Sequence, residues 1–184
     1  SHVQPDLATS ATWVIISFLM LVFMTSIALG TATATLVSRS LGEGNPSLAE
    51  RFGWESVKLG MYVMGALGIA VIVDPGPFLG IFTDKIEVIR VGAPSMRLIG
   101  AVSSLLSAGL ILVQALFGAG ATKFVMIAEL AMHGLCLVPL SYLLAITFGL
   151  GLLGAWCAAA LYVVLLSSIM AWKFASGTWK KIQI

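Results

Sequence analysis

The stretch Leu36–Trp54, LVSRSLGEGNPSLAERFGW, decides the fold of this chain. It gathers Arg39, Glu43, Glu50 and Arg51 into one short segment of a sequence that is otherwise mostly apolar. On one side, residues 7–38 carry no charged side chain; on the other, after Glu55 and Lys58, residues 59–73 carry none either. A polar connection broken by Gly42 and Gly44 belongs in water. Its two flanks belong in hydrocarbon, where every backbone group must be satisfied inside a helix.

Composition supports the same division. The 184 residues are 59% hydrophobic and 10% charged, with a mean hydropathy of +1.05. Soluble domains are roughly 25% charged, so too little polar surface exists here to coat a globular core. The fold class expected is all-α: a polytopic integral membrane helix bundle forming one transmembrane domain over residues 1–184. A net charge of +2, spread through the loops, gives no nucleic-acid patch. Cys136 and Cys157 fall inside apolar runs, where thiols act as small hydrophobes, and neither a disulfide nor a metal site is expected. The start, SHVQPDLATSA, lacks the basic region of a cleavable signal peptide.

About 20 apolar residues cross the hydrocarbon core as a helix. Five such spans are expected, at about residues 8–38, 47–73, 87–117, 124–147 and 152–172. Asp74-Pro75-Gly76-Pro77 ends the second, because proline cannot continue a helix. Residues 78–89 read as a surface connection. From Phe124 to Trp172 the sequence is too long for one crossing, at about 70 Å of helix, and Gly149-Leu150-Gly151 is the natural break. With the Leu36–Trp54 loop inside, seven of the ten basic residues lie inside: Arg39, Arg51, Lys58, Lys123, Lys173, Lys180 and Lys181. Trp172 and Trp179 would then flank the inner end of the last span as interfacial aromatics, and the C-terminus is cytoplasmic. An odd number of spans suits a piece of a longer protein better than a complete transporter built from paired repeats.

Several segments carry a resemblance. Ala32-Thr33-Ala34-Thr35-Leu36-Val37-Ser38-Arg39-Ser40-Leu41-Gly42-Glu43-Gly44, Phe82-Thr83-Asp84, Ala115-Leu116-Phe117-Gly118-Ala119-Gly120-Ala121-Thr122-Lys123 and Pro139-Leu140-Ser141-Tyr142, followed by Gly149-Leu150-Gly151-Leu152-Leu153-Gly154-Ala155-Trp156, run in consistent order along the chain. Together they resemble the multidrug and toxic compound extrusion (MATE) family. The resemblance implies a half-lobe: helices eight to twelve of a twelve-helix, two-lobe antiporter in the cell membrane. It implies a small organic cation as substrate, sodium or protons as coupling ion with no other cofactor, and the lipid bilayer and the missing N-terminal lobe of the same protein as partners. An enzyme is not expected. The third span has no acid in its interior, where some sodium-coupled members have one.

Glu129 and His133, four residues apart on one helix face, are the ion- or proton-coupling candidates. Ionisable groups at membrane depth are costly and suggest function. Equally, Glu129 could reach back to the interface near Lys123 while His133 makes a structural hydrogen bond. Gly100, Ser103, Ser107 and Gln114 form a polar-to-small stripe on the third span; Gln114, Ser107 and Ser103 are the substrate-cavity candidates, and close helix packing is the competing reading. Thr25, Ala28, Ala32 and Thr35, with Gly30 and Ala34 beside them, read as packing surfaces. Arg97 reads as a snorkelling residue. A lipid-linked oligosaccharide flippase of the same superfamily and a non-transporting scaffold subunit are the alternative functions. The first needs a cationic cavity, and Arg97 is the sole candidate for it.

Overall fold

A computed structural model describes residues 5–81 and 83–181; His2 and Phe82 lie outside the described residues, as does the side chain of Lys181. The described elements are helical, and five helices are long and apolar enough to cross a membrane. They are α1 (Pro5–Gly42), α2 (Pro46–Val73), α4 (Ile86–Gly118), α5 (Thr122–Thr147) and α6 (Gly151–Ala175). A short α3 (Pro75–Gly80) follows α2, and a 3-10 turn (Thr178–Lys181) follows α6. The fold class and number of spans agree with the sequence.

The Leu36–Trp54 segment makes a tight turn between two long helices. Gly44 sits at φ +73°, a left-handed conformation that glycine adopts at little cost. Asn45 then caps α2 by accepting from the Leu48 N–H at 3.1 Å, with Pro46 at the first helical position. At the far end of α2, Asp74 ends one helix and caps the next, its Oδ1 accepting from the Gly76 N–H at 3.0 Å. The segment expected as a surface connection is therefore partly folded inward. Leu79 of α3 is fully buried, and Phe78 meets Phe18 edge-on at 6.2 Å. Apolar side chains at these two positions gain more from the bundle than from the interface.

α4 is the axle. More than half of its most apolar window is buried, against a third or less for the other spans, and it packs along α1, α2 and α6. The bundle has two cores. One, at the loop end, joins Val37, Ala49, Ile111, Leu116, Ala119, Phe174 and Trp179; the other joins Ile15, Phe18, Met64, Leu79, Met96 and Ile99. The α1–α2 turn, the α4–α5 turn and the tail thus share one end of the molecule.

Between helices in lipid the hydrophobic effect is weak, so close packing and hydrogen bonds hold the bundle together. At the α2–α4 seam, a methyl group on Gly100 would stand 2.9 Å from the Gly68 carbonyl oxygen. The hydroxyls of α4 use that proximity. Ser103 donates to the Met64 carbonyl and Ser104 to the Met61 carbonyl, each at 3.1 Å. Ser167 of α6 donates to the Leu105 carbonyl of α4 at 2.9 Å. Within α1, Thr25, Thr31, Thr33 and Thr35 return their hydroxyls to carbonyls one turn back, which suits polar side chains to lipid.

Trp179 departs from its expected place. Trp172 is exposed, as an interfacial residue is, but Trp179 is fully buried. Its ring stacks on Phe174 with centroids 4.8 Å apart, and its Nε1–H donates to the Phe174 carbonyl at 2.7 Å. Phe174 in turn meets Trp54 of α2 edge-on at 5.5 Å. The adjoining Lys180 reaches Glu50 of α2 at 2.6 Å. The tail folds back under α2 because an indole can bury its ring there and still satisfy its one donor.

Candidate functional site

α5 is the least embedded span. None of its most apolar window is buried, and it rests chiefly on α6. Its path is irregular: Thr122–Ala131 is α-helical, Met132–Leu137 a π turn, Val138–Tyr142 α-helical again, and Leu143–Thr147 a second π turn. Pro139 lies between the wide turns. It supplies no N–H to the preceding turn, and a helix adapts to such a gap by widening locally.

Glu129 and His133 both line an open groove of about 570 Å³, with Phe117, Lys123, Met126 and Leu130. The i, i+4 spacing does place them on one face, but the imidazole does not bond the carboxylate. His133 Nδ1 lies 2.8 Å from the backbone carbonyl oxygen of Glu129, so that nitrogen carries the proton and donates. Half-buried Glu129 makes no ion pair among the described residues. On the other side of the ring stands Tyr162 of α6. Its hydroxyl is 3.1 Å from Nε2 and 3.2 Å from Nδ1, and the two rings lie 4.8 Å apart at 60°. Nearly equal distances to two nitrogens of one ring place the hydroxyl over the face of the imidazole and not in line with the lone pair of Nε2.

Tyr162 was not among the sequence candidates. The signal available was a lone tyrosine in the long apolar run of the last span, since a phenol out of water usually finds a partner. Its ring also borders a second, almost wholly apolar cavity of about 330 Å³, between Phe23 of α1, Leu106 of α4, Leu137 of α5 and Ala159 of α6.

The other candidates fall elsewhere. Ser103 and Ser107, expected on a cavity wall, are fully buried in the α2–α4 seam. Ser103 is spent on backbone carbonyls, and Ser107 Oγ, facing Gly60, has no hydrogen-bond partner among the described residues. Gln114 lies half-buried against Gly30 of α1, whose missing side chain leaves room for its methylenes. The stripe is thus divided between two neighbours, Ser103 and Ser107 facing α2 and Gln114 facing α1: the three share one side of α4, and the helix packed against that side changes along its length. Gly30 and Ala34 pack on α4, whereas Ala28, Ala32 and Thr35 remain exposed. Arg97 is exposed, as a snorkelling residue is. No group of three or more metal-ligating side chains occurs among the described residues.

Known proteins share this fold. The MatE family model matches residues 1–143. The chain belongs to the MatE family. Its members are transporters, not enzymes. Among relatives, a protein from Thermotoga maritima described as "Probable multidrug resistance protein NorM" is 29% identical over 162 residues, covering 86% of this chain and 34% of its own length. "Protein DETOXIFICATION 18" of Arabidopsis thaliana is 29% identical over 154 residues, covering 83% of this chain and 33% of its own. The MatE chain described here therefore spans about a third of the length of these relatives. Among solved structures, a MATE in complex with MaD5 superposes with a TM-score of 0.83 at 20% identity, over 92% of this chain and 38% of that one. Outward- and inward-facing conformations of one description, a multidrug resistance MATE family transporter of the MOP superfamily, both superpose with a TM-score of 0.77 at 20% identity. They cover 95% and 91% of this chain, and 39% and 38% of theirs.

Proposed function

We propose that this chain is most of one lobe of a cation-coupled antiporter that exports small organic cations, including drugs, across the cell membrane. The match to the family model carries the reading, since the relatives it aligns with are described as multidrug resistance proteins. The rest of the same protein would supply the second lobe and the first helix of this one. The exposed face of α1, with Ala28, Ala32 and Thr35, and the open face of α5 are the surfaces such neighbours would cover. With the loop end in the cytoplasm, Arg39, Arg51, Lys58, Lys123, Lys173 and Lys180 lie on the inner side and the C-terminus is internal. Equal fit to inward- and outward-facing relatives supports a lobe that moves as a rigid body, exposing a midplane site to each side in turn.

In this reading Glu129 and His133 handle the coupling proton or sodium ion, and Gln114 borders the route taken by substrate. An ion that binds one conformation more tightly biases the cycle by that difference. The test is efflux of a fluorescent cation from cells carrying the complete protein, under imposed proton or sodium gradients. Glu129→Gln is expected to lose gradient-driven efflux. Undiminished efflux in that variant removes Glu129 from the mechanism, and indifference to both gradients removes antiport.

A further inference from the structure

We infer that a crevice between α2 and α6, floored by Arg90 and Arg97 of α4, holds one phospholipid of the leaflet remote from the Leu36–Trp54 loop, and prefers a headgroup that carries no cation. Arg90, Pro94, Arg97 and Ala101 fall on one side of α4, and all four are exposed on the span that is otherwise the most buried. The same side continues toward the loop end through Ala108, Leu112 and Ala115, and those three are buried. The change comes one turn beyond Ala101. There Ser104 donates to the Met61 carbonyl of α2, and Ser167 of α6 donates to the Leu105 carbonyl, so a helix arrives on each flank of the strip. At the loop end the flanking helices meet, the Phe174 ring of α6 seated against Gly53 of α2 and edge-on to Trp54. α2 and α6 therefore diverge away from the loop end and leave a wedge with α4 as its floor. Leu106, on the opposite side of α4, borders the apolar cavity beside Tyr162, so the wedge faces away from that cavity.

Depth selects the ligand. From Gly118, where α4 ends, back to Arg97 is about 30 Å of helix, one hydrocarbon thickness. The Arg97 guanidinium is thus level with the lipid phosphates, and Arg90 stands about 10 Å further out, among the headgroups. Neither arginine makes an ion pair among the described residues, although Glu87 stands one turn before Arg90. A guanidinium matches a phosphate with two parallel N–H···O bonds. Arg97 therefore takes the phosphate, and Arg90 faces whatever the phosphate carries. A choline cation meets it with like charge, whereas the glycerol of phosphatidylglycerol does not. The half-exposed Met61 and Ile72 of α2 give the acyl chains an apolar wall. An arginine on an open helix face would touch the surrounding lipid at large; a floor with a helix on each flank selects one molecule.

The experiment transfers the complete protein from membranes of equal phosphatidylglycerol and phosphatidylcholine into mild detergent, and native mass spectrometry reads the lipid retained. The wild type is expected to keep phosphatidylglycerol in excess. Arg97→Gln should lower that retention about tenfold, as loss of a charge-assisted pair implies, with an unchanged thermal midpoint. Arg90→Gln should still hold a lipid but no longer distinguish the two headgroups. Lys85→Gln, a cation at the same end that precedes α4, should change neither. Retention in Arg97→Gln equal to the wild type overturns the inference, and so does an equal loss in Lys85→Gln, which would mean surface charge and not the crevice. Equal retention of both lipids by the wild type overturns the headgroup preference. Should Arg97→Gln not fold, Arg97→Lys decides: it keeps the charge without the paired donors, so intermediate retention is expected and full retention overturns the inference.

Discussion

The α2–α4 seam and the α5–α6 seam both place hydroxyls between helices, and they do opposite things with them. In the first, glycines bring the backbones so close that Ser103 and Ser104 bond directly to carbonyls of α2. A carbonyl cannot change its protonation, so that seam has a single arrangement. In the second, two side chains meet across the seam: the Tyr162 hydroxyl stands over the imidazole of His133, on a π turn beside an open groove. Both partners there can exchange or reorient protons. Closeness gives rigidity, whereas side-chain-to-side-chain contact leaves room for a change of state.

Substitutions on the rigid side should therefore cost stability, and those on the open side should cost transport. Trp179→Ala is expected to do most damage, about 3–5 kcal/mol, because it removes a buried ring that both stacks and hydrogen-bonds. The fall in thermal midpoint in detergent measures it. Gly68→Val is next, at about 1–3 kcal/mol or more, since the new side chain meets the Gly100 carbonyl and the Ser103 hydroxyl, and backbone cannot give way cheaply. Unchanged thermal stability in that variant would break the contrast at its root. Lys180→Ala should lower stability by about 1 kcal/mol through loss of the half-buried pair with Glu50, and a charge exchange of both residues should restore part of it.

Ser107→Ala runs the other way. Removing a buried hydroxyl that has no partner should leave stability unchanged or raise it by under about 1 kcal/mol. A marked loss would mean that this oxygen is in use. Smallest of all should be Glu129→Gln, within about 0.5 kcal/mol, even as gradient-driven efflux falls. That variant sharpens the comparison most, because stability and transport are expected to separate in it.

Much of the bundle was legible in the sequence. Long apolar runs gave five spans, the glycine pairs marked the turns, and Glu129 and His133 were found on the face that the i, i+4 spacing required. The serine stripe was legible only in part. Its spacing showed which residues shared a side of the helix, but not that α2 would close over Ser103 and Ser107. The aromatic residues misled in a similar way. Trp172 and Trp179 look alike as interfacial markers, and only the chain reversal at Gly177, with φ +64°, turns the second into the core.

What the sequence determined by itself was the solvent of each segment, because transfer of apolar or charged groups between water and lipid depends on residue type and run length. The tertiary structure alone decided which neighbour each polar group met. Hydrogen bonds are short and directional, so whether a serine is sealed or an indole satisfied depends on backbone approach that no single segment encodes.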